Sequence, residues 1–178
     1  MNGPNPTSGW RGQERGSQLL EFAIAVPVLL LLVVGIWDLG AGFATKQKLT
    51  NAAREAVRML TSSPNVNCDP SVASTCPSDP VVAAVNTVVN YLDNDGLNAS
   101  CLLSATPTST SSSTGVEYEW KYSCNQIVLD INHGATIGST AMTAVTLTYP
   151  TTWTKGQLLP APVPATISTE VQMENLAP

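Results

Sequence analysis

The chain has 178 residues, 43% of them hydrophobic and only 12% charged, with a formal net charge of −5. That length admits one modest domain plus an anchor and leaves no room for a large cleft enzyme. From Thr61 onward two basic residues, Lys121 and Lys155, stand against nine acidic ones, a net charge of −7, which disfavours nucleic-acid binding and adhesion to a bare anionic surface.

Residues 1–16 are rich in Gly, Pro and Asn without apolar periodicity, and are expected to form a disordered leader or cytoplasmic tail. The chain then changes character. Phe22 to Trp37 is a run of 16 residues without a charge, and 22–44 gives 23 residues carrying only Asp38. As a helix that run is long enough for a hydrocarbon core of about 30 Å. Beyond it, Leu49, Ala52, Ala53, Ala56 and Leu60 recur at helical spacing, while Lys46, Lys48, Asn51, Arg54, Glu55 and Arg58 take the other face. The pattern predicts one long helix over 17–60, with a membrane anchor at 20–44 and an amphipathic half at 45–60 that packs on its own chain.

Three features mark the anchor. Glu21 places a carboxylate inside the apolar run, where it either marks the membrane boundary or demands a partner. Pro27, about two turns in, removes a backbone hydrogen bond and is expected to kink or loosen the helix. Gly35, Gly40, Ala41, Gly42 and Ala44 form a small-residue side open to another helix, or simply a flexible membrane exit.

The order Arg15-Gly16-Ser17-Gln18-Leu19-Leu20-Glu21-Phe22 resembles the prepilin-peptidase site of type IV pilin-like proteins. Its continuation, Ala23 to Pro27, an aliphatic block and Gly35-Ile36-Trp37-Asp38-Leu39-Gly40, resembles the TadE/TadG-like pseudopilins of the tight-adherence (Flp pilus) system. The resemblance implies a cut after Gly16, a mature chain starting at Ser17, and Glu21 as an assembly residue that meets the free amine of a neighbouring Ser17. It also implies a pilin-like fold, other pilin-like subunits as partners through this helix, and dealings with a prepilin peptidase and the tight-adherence secretion machinery. The implied role is a structural component in pilus biogenesis, surface adhesion and biofilm formation. A secretory signal peptide, cut at Gly42-Phe43-Ala44, is the rival account of the apolar run.

The rest, 61–178, is expected to form an extracytoplasmic α+β head. Residues 61–80 make a turn-rich connector with four prolines. Ser78-Asp79-Pro80 then opens a second helix over about 80–93, with Val82, Val85, Val88, Val89 and Leu92 at helical spacing and Asn94-Asp95-Gly96 as its end. Residues 104–115 are low-complexity Ser/Thr and are expected to be a loop or a glycan-bearing patch. Strands are expected from Val116 to Ser123, from Gln126 to Ile131 with a turn at Asn132-His133-Gly134, from Met142 to Tyr149 with Pro150 as its stop, and from about Ala165 to Met173. Together these predict an antiparallel sheet of three or four strands with a helix across it. The stretches Val145 to Pro150 and Thr166 to Glu174 are similar to the family's closing hairpin, although Glu174 stands where the family usually has a basic residue.

All four cysteines, Cys68, Cys76, Cys101 and Cys124, follow the anchor. An even count in a small polar head points to an oxidising compartment and two disulfides among three possible pairings. A four-thiolate zinc site lacks the paired C-x-x-C spacing, so no metal is expected. Arg11 and Arg15 precede the anchor, but Lys46, Lys48, Arg54 and Arg58 follow it, so charge does not favour a cytoplasmic N-terminus. A single pass through the bacterial inner membrane with the head outside rests on the cysteines and the resemblance.

No enzyme signature emerges. Asp130-x-x-His133 spaces a general-base pair, but its His was expected in an exposed turn, and no G-x-S-x-G elbow, phosphate loop or calcium loop is present. No cofactor and no catalytic residue are expected. The runner-up to a pilin-like role is a membrane-anchored or secreted adhesin-like binding domain.

Overall fold

The structure, a computed structural model, describes residues 13–63, 66, 79–111, 117–137, 140–151 and 165–175. The elements run α1 (Gln13–Thr61), α2 (Asp79–Asn94), a short 3-10 helix (Ser100–Ser104), then β1 (Thr108–Ser111), β2 (Tyr118–Cys124), β3 (Ile127–Ile137), β4 (Thr140–Thr151) and β5 (Ala165–Glu174). It is an α+β fold with one antiparallel sheet, in the strand order β1-β2-β3-β4-β5. The described residues fall into two compact units that divide after Ala41.

The head's core is one cluster built from a single face of each element. From α1 it takes Leu49, Ala52, Ala53, Ala56, Val57 and Leu60, all with no exposed surface. From α2 come Val81, Ala84, Val85, Val88, Val89 and Leu92, and from the sheet Trp120, Tyr122, Leu129, Ile131, Val145 and Leu147. Each fully buried Leu or Val contributes about 1.5–3 kcal/mol through removal from water. Alanines at 52, 53 and 56 let the helix lie close to its neighbours, because a methyl adds little between backbones. Polar links lock the same contacts. Thr50 bonds Thr169 of β5 (3.0 Å), Thr87 of α2 donates to the Met59 sulfur (3.2 Å), and Lys48 Nζ donates to the Asp95 carbonyl (2.6 Å).

Helix ends are satisfied locally. Thr61 donates to the Arg58 carbonyl, and Ser62 and Ser63 to that of Met59, so three hydroxyls take up carbonyls that α1 leaves without intrahelical partners. At the end of α2, Leu97 N–H reaches the Leu92 carbonyl (2.8 Å) and Gly96 N–H that of Asp93 (3.1 Å), with Gly96 at φ +80°. This is a Schellman cap, and the left-handed position explains the glycine.

The sheet departs from expectation in four places. It has five strands, because Thr108–Ser111, expected as a loop, pairs with Tyr118–Lys121 at the sheet's edge. Threonine's β preference and an available edge suffice where no apolar alternation signals a strand. Asn132-His133-Gly134 is not a turn: β3 runs through it to Ile137, and the register shifts between His133 and Ala135 around Gly134 at φ +86°. That glycine makes a bulge. The reversal into β4 therefore falls after Ile137, and Gln126 (φ 67°), expected to open the strand, instead forms with Asn125 (φ 47°) a two-residue hairpin loop joining Cys124 to Ile127. Finally, Pro150 does not stop β4, which pairs with β5 as far as Thr151. Pairing to β3 ends at Thr148, so proline sits where the strand has a neighbour on one side only.

Two helical expectations also shift. α1 begins at Gln13, so Gln13 to Gly16 are helical and not disordered as expected. Gln, Glu and Arg are good helix formers, and adding residues to an existing helix is easy once it is nucleated. In α2 the inward valine at the first turn is Val81, while Val82 is 42% exposed.

Candidate functional site

The first half of α1 buries nothing of its own. Leu19, Phe22, Ile24, Leu29 to Leu32, Ile36, Trp37 and Phe43 are each more than half exposed, Trp37 reaching 73%. One apolar stretch of that helix is long enough to cross a membrane, and none of it is buried within the chain. A core helix of a soluble domain is covered by its own chain over such a length, and this stretch is not. Sixteen apolar residues in water expose far more contiguous apolar surface than a soluble monomer tolerates.

Glu21 lies in this stretch, at the head of a groove formed with Ile24, Ala25, Val28, Leu29 and Leu32. The spacing i, i+3, i+4, i+7, i+8 and i+11 puts all six on one stripe of the helix. The groove is therefore apolar along its length with one carboxylate at its N-terminal end. Ser17 belongs to the same helix, one turn before Glu21, and Gly16 precedes it within α1. Pro27 is inside the helix, which is continuous in assignment across it.

Cys101 and Cys124 form a disulfide (Cα–Cα 6.0 Å) that ties the 3-10 helix to the end of β2, next to the hairpin loop. Cys68 and Cys76 lie outside the described residues.

Asp130 and His133 are not brought together. Three residues apart on one strand, they point to opposite faces of the sheet. His133, expected in an exposed turn, is instead half-buried on the core side, where its Nδ1 lies 2.7 Å from Thr143 Oγ1. Thr143 spends its single proton on Asn175 Oδ1 (2.6 Å), so its oxygen accepts and His133 Nδ1–H donates. Burial holds the His133 pKa below its ordinary 6.5. The arrangement is a chain-end clamp: β3, β4 and the residue after β5 are tied by one hydroxyl. On the outer face, Asp130 is held above the usual carboxylate range by burial and by Glu119 beside it, with Lys121 opposing. Burial likewise pushes the Tyr122 phenol up to about 12. Trp120 is core, stacked on Tyr118 with centroids 6.0 Å apart. No group of His, Cys, Asp and Glu among the described residues is placed to hold a metal ion.

An exposed apolar stretch with Glu21 near one end and Asp38 near the other, continuing within the same helix into a segment that closes the core of an α+β head, defines a protein whose N-terminal segment is long and apolar enough to span a membrane. Residues 16–58, 43 of the 178, match the family model described as TadE-like protein. The match starts at Gly16 and takes in both halves of the helix. No curated protein and no solved structure matches the chain.

Proposed function

We propose that the chain is a pseudopilin or minor-pilin-like structural component of tight-adherence (Flp) pilus assembly, acting in pilus biogenesis, surface adhesion and biofilm formation. The observation that carries this is the fully exposed apolar half of α1 with a single carboxylate at the head of its groove. Its TadE-like sequence supports a cut after Gly16 by a prepilin peptidase. In this account the helix anchors the chain in the inner membrane with the head outside, and the mature Ser17 amine of a neighbouring copy pairs with Glu21. In low dielectric an unpaired carboxylate is expensive, so a misplaced or uncut subunit is rejected far more strongly than water would allow.

Glu21→Ala is expected to leave membrane insertion intact, since it makes the segment more apolar, while lowering the yield of filament or assembly complex. Unchanged yield in the variant contradicts the role given to Glu21. An adhesin-like domain that is merely anchored predicts that unchanged yield.

A further inference from the structure

The second half of α1 carries cations that the head leaves without ion pairs among the described residues. Phe43, Lys46, Gln47, Thr50, Asn51 and Arg54 line one shallow groove along the helix, beside its contact with β5, and Arg58 lies one turn beyond Arg54. Lys46, Arg54 and Arg58 are all exposed. This is the only strongly basic surface that the sequence offers beyond the anchor, because after Thr61 only Lys121 and Lys155 are basic.

The opposite charge is gathered on the outer face of the sheet. Register places Glu119 opposite Asn132, Lys121 opposite Asp130, and Thr146 of β4 opposite Glu170, with Met142 opposite Glu174. Among the described residues Glu117, Glu119, Asp130, Glu170 and Glu174 therefore share that face with one cation, Lys121. Several of these carboxylates are held in place: Glu119 accepts from Thr110 (2.9 Å), Glu117 from Asn132 (2.8 Å), and Glu170 from Gln172. The dimensions agree as well. Lys46 to Arg58 spans roughly 18 Å along the helix, and β2 to β5 spans roughly 14 Å between strand axes.

We propose that the basic stripe of α1 docks the acidic outer sheet face of a second copy of the chain. The two patches are different surfaces of one molecule, so the contact is heterologous and propagates from copy to copy without closing on a pair. It rests on the assembly role above, in which apolar helices gather copies side by side and raise their effective concentration, so that individually weak ion pairs add up. Anionic lipid is the weaker occupant. Arg54 and Arg58 lie roughly 15 Å and 21 Å beyond Ala44 along the helix, outside the headgroup layer and beyond a Debye length of about 8 Å.

The test uses the full chain in detergent micelles, with self-association followed by light scattering at low and high salt. Wild type is expected to associate and to lose association as salt rises. Arg54→Glu with Arg58→Glu is expected to weaken it about tenfold or more, as is Glu170→Lys with Glu174→Lys, and mixing the two reversed chains restores it. All four side chains are exposed, and unchanged unfolding midpoints verify that the variants fold. Association of both reversed chains at wild-type strength overturns the proposal, as does failure of the mixture to recover. So does binding to phosphatidylglycerol vesicles that the arginine reversals abolish while self-association persists. A wild-type chain that stays monomeric sinks the assembly role too, whereas association indifferent to the reversals sinks the docking surface alone.

Discussion

The first half of α1 carries far more apolar side chain than the second, and the two do opposite things with it. Around Leu49 to Leu60 the apolar residues occupy one face and are covered completely by α2 and the sheet. Around Leu19 to Phe43 they surround the helix, and the chain covers none of them. Periodicity separates the halves: a one-sided stripe can be buried by the same chain, whereas an all-round one needs lipid or other helices. A helix can thus belong to a fold at one end and stay uncovered by it at the other.

The sharpest way to break that contrast is a matched pair of truncations. Leu49→Ala is expected to destabilise the head by about 2–5 kcal/mol, since it empties a site with no exposed surface. Leu30→Ala, at a position 58% exposed, is expected to change the unfolding free energy by less than about 0.5 kcal/mol. Equal effects in a chemical-denaturation series in detergent contradict the division.

Next in size, replacing Cys101 and Cys124 by serine removes a crosslink spanning 23 positions and is expected to cost about 2–4 kcal/mol. Denaturant midpoints under oxidising conditions, with Leu30→Ala as the silent control, read it directly. Gly96→Ala, at φ +80° with open space around its Cβ position, should cost about 1 kcal/mol through backbone conformation alone. A larger loss than that in thermal melts means that packing is involved after all.

The smallest effect is on pH. Burial lowers the His133 pKa, so the folded head favours the neutral ring, and this contribution is present above 6.5 and lost as pH falls through the folded value. Asp130 has the opposite sign: its raised pKa favours the protonated acid, a contribution present at low pH and lost as pH rises through the folded value. Melting temperature is therefore expected to decline on acidification below neutrality, and His133→Gln to flatten that decline. A profile unchanged by the substitution shows that His133 is not responsible.

Much of this was readable from residues alone, where burial follows a simple period. Leu49 to Leu60 and Val85 to Leu92 declared their inner faces at helical spacing, and Tyr118, Trp120 and Tyr122 alternate as a half-buried strand should. What stayed hidden depended on neighbours. Thr108–Ser111 has no apolar signal and becomes a strand only because β2 offers an edge. Asn132-His133-Gly134 looks like a turn locally, yet cross-strand pairing on both sides turns the glycine into a bulge. Pro150 depends on where β3 ends, which no local pattern records. At the candidate site, Glu21 and its groove follow from spacing, while the proton order from His133 through Thr143 to Asn175 needs coordinates.

The central claim is that the exposed half of α1 is trimmed at a glycine and retained to bundle with other copies through Glu21. Intact-mass analysis and N-terminal sequencing of the membrane-assembled form test it most directly. The account predicts a chain that starts at Ser17 and keeps the whole apolar stretch. A functional form that starts near Thr45, or one that still carries Met1 and assembles normally, contradicts it.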